Sequence, residues 1–251
     1  MDWTVPNLGF ASDAVCDHMA KRRVAGHGLA ADGVAGRPIR AVMDFPFHHG
    51  HALAMPRPRA FEEEQVVAAA KEVFWEQGYL KTSVGDLEEA TGLSRSSLYM
   101  AFGSKRDLFA AALRVYLDTF VDPLLGPLES KDAGVREIVG YFKTLATLFK
   151  DPEAQRGCLM INTIGERAGR DPAFTLEGER FLARLRSAFA NALKSSVRAN
   201  AMTRGEATER AALLGGAAVG AWITVRVDPA AARALCRSAA AQARSWAPSV
   251  D

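Results

Sequence analysis

Residues 78–109 read GYLKTSVGDLEEATGLSRSSLYMAFGSKRDLF. Ser83-x-x-Asp86, Ser94-x-x-Ser97 and Ser104-x-x-Asp107 each put a hydroxyl where it can accept from a first-turn amide. Two of the three are capping boxes in form, with Asp in the usual Glu place. Gly92 and Gly103 stand where a left-handed residue ends a helix. The spacing predicts two very short helices, 84–91 and 95–101, then a longer one over 105–122, with Thr91-Gly92-Leu93-Ser94 as the tight turn between the short pair.

Working outward, Val66, Ala70, Val73, Phe74 and Gln77 trace one face of a helix over 62–77 that Gly78 stops. On the far side, Asp151-Pro152, Asp171-Pro172 and Asp228-Pro229 each offer an N-cap followed by proline at the first helical position, and Thr203-x-x-Glu206 is a further capping box. These signals predict helices over 134–150, 152–168, 173–200, 204–225 and 229–246, and no strand. The fold class is all-α. Residues 1–58 are different: Gly, Pro, Arg and His interrupt every apolar run, which reads as a mostly disordered extension. Met55 is a candidate true start.

A short helix, a tight turn and a second short helix opening on small hydroxylated residues and an arginine form the pattern of a helix-turn-helix. The second helix of such a motif enters the major groove. Arg95 can reach guanine O6 and N7, while serine hydroxyls and helix N-terminal amides suit phosphate oxygens. Leu98 and Phe102, four apart, face inward. The same spacing also fits a structural helical hairpin with Arg95 solvated.

Gly78-Tyr79-x-x-Thr82-Ser83-Val84-x-x-Leu87-x-x-Ala90-Thr91-Gly92-Leu93-Ser94-x-x-Ser97-Leu98-Tyr99-x-x-Phe102-Gly103-Ser104-Lys105-x-x-Leu108 closely resembles the DNA-binding domain of the TetR/AcrR family of transcriptional regulators. The segment Arg156 to Thr163 is similar to the start of the sixth helix in one branch of that family. The resemblance implies a homodimeric, usually repressing regulator of a double-stranded DNA operator, with a small-molecule pocket and the dimer interface in the C-terminal domain. It places Arg95, Ser96 and Met100 as base-edge readers, and Thr82, Ser83, Ser97, Tyr99 and Lys105 as phosphate contacts. Met100 and Ala101 depart from the aromatic and His residues often found there. The implied division is an extension over 1–58, a DNA-binding domain over 59–106 and an effector-binding and dimerisation domain over 107–251.

The helix over 105–122 is apolar on two faces, Leu108, Ala112 and Val115 on one and Phe109, Leu113, Tyr116 and Phe120 on the other, as a helix shared by two bodies would be. Tyr116, Phe120, Phe142, Phe189 and Trp222 are candidates for lining an effector pocket, although such aromatics at helical spacing also build ordinary cores. Asn162 and Glu166, four apart, are candidate polar anchors for a small, mostly hydrophobic effector. Cys158, beside Arg156 and near a helix N-terminus, is where a thiolate would be stabilised, against the alternative of a small buried hydrophobe. Ala212, Gly216 and Gly220 form a stripe without bulky side chains, a candidate dimer interface whose alternative is close packing within one subunit.

Composition sets the exclusions. The 251 residues are 49% hydrophobic and 24% charged with net charge +2, so no polyanion partner follows from charge alone. All five histidines, His18, His27, His48, His49 and His51, lie in the first 51 residues. No Ser-His-Asp, Cys-His or HExxH system can be built beyond them, and neither a catalytic residue, a cofactor nor a metal site is expected. Cys16, Cys158 and Cys236 are too few for a disulfide framework, and the uncharged run from Ala211 to Val225 is too short for a membrane span. A cytoplasmic setting is the simplest expectation. The rival reading is an all-α ligand-binding or enzymatic domain with an incidental helix-turn-helix.

Overall fold

The computed structural model describes residues 59–247, and the extension expected over 1–58 lies outside the described residues. Every regular element among the described residues is helical: α1 Arg59–Gln77, α2 Val84–Thr91, α3 Arg95–Phe102, α4 Lys105–Tyr116, a π-helical turn Leu117–Val121, α5 Asp122–Glu129, α6 Val135–Leu148, a 3-10 turn Pro152–Arg156, α7 Leu159–Arg167, α8 Pro172–Arg198, α9 Arg204–Thr224 and α10 Pro229–Arg244. The cap signals place the helix starts as read, although the Ser104 capping box forms only in part: the Ser104 amide goes to the Phe102 carbonyl, and Asp107 accepts from the Ser104 hydroxyl instead. Ser83, Ser94, Ser104 and Thr203 each accept from a first-turn amide, as do Asp151, Asp171 and Asp228 before their prolines.

Two boundaries differ from expectation. The helix over 105–122 does not stop: it widens by one residue at Leu117–Val121 and continues as α5. Pro123 has no amide to give the preceding turn, and the Asp122 amide reaches back five residues to the Leu117 carbonyl. α5 carries Pro127 as well and is held from outside, by the Arg184 guanidinium on Asp122 and Glu129 and by the Asn191 amide on the Leu128 and Ser130 carbonyls. The second difference is at Gly157, which splits the helix expected over 152–168. With φ 77° and ψ −166° it occupies a region open essentially to glycine, and Cys158 is extended before α7 begins.

α1 lies along α4, while α6 packs on α10 and α9 packs between α8 and α10. The buried side chains run without a break from Phe74 and Phe109 beneath the short helices to Tyr116, Phe142, Phe149, Phe189 and Trp222 in the larger bundle. α4 therefore belongs to both bodies, burying Leu108, Phe109, Ala112, Leu113 and Tyr116. No helix among the described residues is long and apolar enough to cross a membrane.

Gly157→Ala would place a Cβ 2.9 Å from Arg226 Cδ and 3.1 Å from Asn162 Oδ1 at a positive φ. It is expected to destabilise by about 1–3 kcal/mol in chemical denaturation. Gly140→Ala, in mid-helix with open space at its Cβ, is the matched control and is expected to stabilise by about 0.5–1 kcal/mol.

Candidate nucleic-acid interface and its coupling to the core

The short helices are built by local chemistry. Ser83 Oγ accepts from the Asp86 amide at 3.1 Å, and Asp86 returns the contact by accepting from the Ser83 amide at 2.7 Å, which holds the Asp86 carboxyl below its ordinary range. Gly92 takes φ 71° and ends α2. Glu88 then reaches across the turn to accept from the Arg95 amide at 2.6 Å, clamping α2 to the first residue of α3. Ser94 Oγ accepts from the Ser97 amide and lies 2.9 Å from Ser96 Oγ and 3.0 Å from Ser97 Oγ.

Leu98 alone of α3 is fully buried, while Arg95, Ser96, Ser97, Tyr99 and Met100 are each exposed, as is Ser83 at the head of α2. Thr82 is not with them. It is 1% exposed, and its hydroxyl donates to the Gly78 carbonyl at 2.7 Å, fixing the turn that leads to Ser83. Lys105 rests its ammonium 4.5 Å above the Tyr79 ring, and burial lowers its pKa.

Three groups of contacts tie α1, the turn after it and α4 to one segment of the larger bundle, residues 156–174. Trp75 Nε1 donates to the Gly157 carbonyl at 2.9 Å, under the Arg156 guanidinium, which stacks 4.2 Å from the indole and pairs with Glu72 at 3.0 Å. At the turn after α1, the Glu166 carboxylate accepts from the Tyr79 amide at 3.0 Å and the Leu80 amide at 2.6 Å. Beside it, Arg106 and Arg167 share Asp171, and Tyr79 packs on Phe109 and Phe174. For Asp171 the raising effect of burial is outweighed by the Ala173 amide and the two guanidinium groups, which leave its carboxyl below the ordinary range.

Of the pocket candidates, Tyr116, Phe120 and Trp222 share one aromatic cluster with Trp75 and Phe149, while Phe142 and Phe189 stack in another with Tyr141. All of them are buried. The Tyr116 hydroxyl is buried beside the Cys158 thiol and the Leu159 backbone, and burial drives its pKa well up. Asn162 and Glu166 are engaged elsewhere. Asn162 donates to the Arg156 carbonyl at 2.8 Å and accepts from Arg226 at 3.1 Å, and Glu166 holds the two amides just described.

The local argument for a stabilised thiolate at Cys158 gives way to its surroundings. Arg156 is committed to Glu72, Glu153 and Trp75, and burial pushes the Cys158 thiol up against the opposing pull of Tyr116 and the Ile161 and Met160 amides. Cys236 is likewise pushed up to about 12. Sequence reasoning missed Trp75, and it included Gly157 only as part of the Arg156–Thr163 segment, without its role; an indole on the α1 face and a glycine inside a helical pattern were the available signals.

Ala212 and Gly216 are exposed on α9, and Gly220 is half-buried, where an added Cβ would lie 3.6 Å from Leu235 Cδ2. Leu213, Ile223 and Val227 stand exposed in and just beyond the same helix. No cluster of three metal-ligating side chains occurs among the described residues.

Residues 66–112 match the model of the bacterial regulatory proteins, tetR family. The chain is 34% identical over 139 residues to the uncharacterized HTH-type transcriptional regulator YezE of Bacillus subtilis, an alignment covering 55% of this chain and 72% of that one. The chain belongs to the TetR family. It is also 36% identical over 107 residues to the HTH-type transcriptional repressor ComR of Escherichia coli, covering 42% of this chain and 51% of ComR, so it spans about half the length of that relative. Among solved structures, the TetR-family regulator CifR in complex with operator DNA superposes with a TM-score of 0.63 at 23% identity, over 76% of this chain and 100% of that one. A TetR-family regulator from Cytophaga hutchinsonii gives the same TM-score at 17% identity, over 76% and 98%. These two likenesses concern the fold, an all-α TetR arrangement. As a TetR-family member the protein is a DNA-binding transcriptional regulator and not an enzyme.

Removing the Glu166 carboxylate leaves two amides without an acceptor. In Glu166→Ala the Tyr79 and Leu80 amides are expected to exchange hydrogen at least about tenfold faster, the effect of losing roughly 1.4 kcal/mol or more of local protection. Unchanged exchange at both positions would contradict the clamp.

Proposed function

We propose that the protein is a homodimeric repressor that reads a palindromic operator through the exposed face of α3 and lets go when a small, largely hydrophobic effector enters the bundle around Tyr116. The observation that carries this reading is the combination of an outward-facing α3 with a reading unit clamped to residues 156–174. In this reading Arg95, Ser96 and Met100 face base edges, and Ser83, Ser97, Tyr99 and Lys105 face phosphates. Thr82 acts from beneath by holding the turn. That ComR and BdcR of Escherichia coli are named as repressors favours repression here.

Tyr116, Phe120, Trp222, Phe142 and Phe189 form the candidate effector site. The buried Tyr116 hydroxyl offers the polar contact. Asn162 and Glu166 then serve as transmission residues instead of anchors. An effector that prefers one setting of α7 over another moves the carboxylate on which Tyr79 and Leu80 hang, and only that difference in affinity can weaken DNA binding.

The dimer is proposed to form on α9 and α10, where Ala212 and Gly216 let two copies approach closely and Leu213, Ile223 and Val227 supply apolar surface. Gly216 has open space where a Cβ would go, so Gly216→Leu tests assembly without disturbing the subunit. Sedimentation is expected to show a folded monomer that no longer shifts a palindromic duplex, and a folded dimer with unchanged affinity would remove this face from the interface. On DNA, Arg95→Ala is expected to cost about 1–3 kcal/mol at one base position, whereas Lys105→Ala weakens all sequences alike. Gel shifts at stated salt, on duplexes recovered from chromosomal fragments, make the comparison.

A further inference from the structure

The outermost point of α3 is not its arginine. At about 100° per residue, Ser96 and Met100 each lie within about 20° of the direction opposite the buried Leu98, whereas Arg95 lies on the flank, about 60° from Leu98. Ser96 is partly occupied, since its hydroxyl sits 2.9 Å from Ser94 Oγ in the cap network. Met100 is 86% exposed, against 42% for its neighbour Tyr99. A thioether is at best a weak acceptor, so at the apex of a reading helix Met100 can contribute little but apolar contact. Its exposure gives it no part in the core that Leu98 anchors.

In the major groove one feature answers to that chemistry, the C5-methyl group of thymine; the remaining base-edge groups are hydrogen-bond donors and acceptors. We propose that Met100 determines operator specificity by packing on the C5-methyl group of one thymine in each half-site. The inference rests on the DNA-reading function proposed above and adds the base that the α3 apex selects. Arg95, on the flank, reads or steers beside it, and the neutral apex takes its discrimination from shape and apolar burial.

The test uses the full chain and a duplex selected from a random library by the wild-type protein. Each thymine of the selected duplex is replaced in turn by deoxyuridine, which lacks the methyl group and keeps the pairing edge. One replacement per half-site is expected to weaken wild-type binding about fourfold, the size carried by one buried methyl group. Met100→Ala is expected to bind the thymine and deoxyuridine duplexes equally, and Met100→Leu to keep the preference. Unchanged melting of both variants checks the fold. If no deoxyuridine duplex binds more weakly, or if the loss persists undiminished in Met100→Ala, the assignment of Met100 is overturned while the DNA-reading function stands. If no duplex is enriched at all, that function fails and takes the assignment with it.

Discussion

One carboxylate holds the reading unit in place. Glu166 sits near the end of α7 and accepts from two successive amides, Tyr79 and Leu80, at the turn that joins α1 to α2. These amides follow the last turn of α1 and precede the start of α2. Hydrogen bonds to a charged acceptor are each worth about 1.5–3 kcal/mol when partly shielded from water, and their geometry orients the turn. The rest of the reading unit is stacked on that turn: Tyr79 packs on Phe74 and Phe109, and Lys105 at the head of α4 covers its ring.

The other end of the same short segment meets the interior of the bundle. Cys158 precedes α7 beside Tyr116, and Asn162 ties the Arg156 carbonyl to Arg226 just after α9. Between these ends the chain passes Gly157, whose carbonyl takes the Trp75 indole. Residues 156–174 thus touch α1, α4, the α1–α2 turn, the aromatic centre and the end of the helix proposed to meet a second copy. In the function proposed above, this segment is the route by which a displacement at Tyr116 is carried to the reading face, through packed side chains and hydrogen bonds.

The parts of this arrangement that were legible in the sequence are the local ones. Ser83, Ser94, Ser104, Thr203 and the three Asp-Pro pairs bond within their own first turns, so their spacing alone places the helix starts. α5 was not legible because Pro123 and Pro127 signal a break, and the groups that keep it helical, Arg184 and Asn191, lie far along the chain in α8. The interruption at Gly157 depends in the same way on Trp75. Asn162 and Glu166 were rightly read as one face of a helix, but the direction of that face depends on Arg226 and on the Tyr79 turn. At Cys158, proximity to Arg156 in sequence counted for less than burial and the competing pull of Glu72.

Through residues 156–174 the reading unit and the bundle behave as one cooperative body. Differential scanning calorimetry tests it most directly. A single transition is expected for the wild type, with calorimetric and van't Hoff enthalpies in agreement, and a separate, lower-temperature transition when Trp75→Phe and Glu166→Ala are combined. Two resolved transitions in the wild type, or a single unshifted one in the double variant, would contradict it.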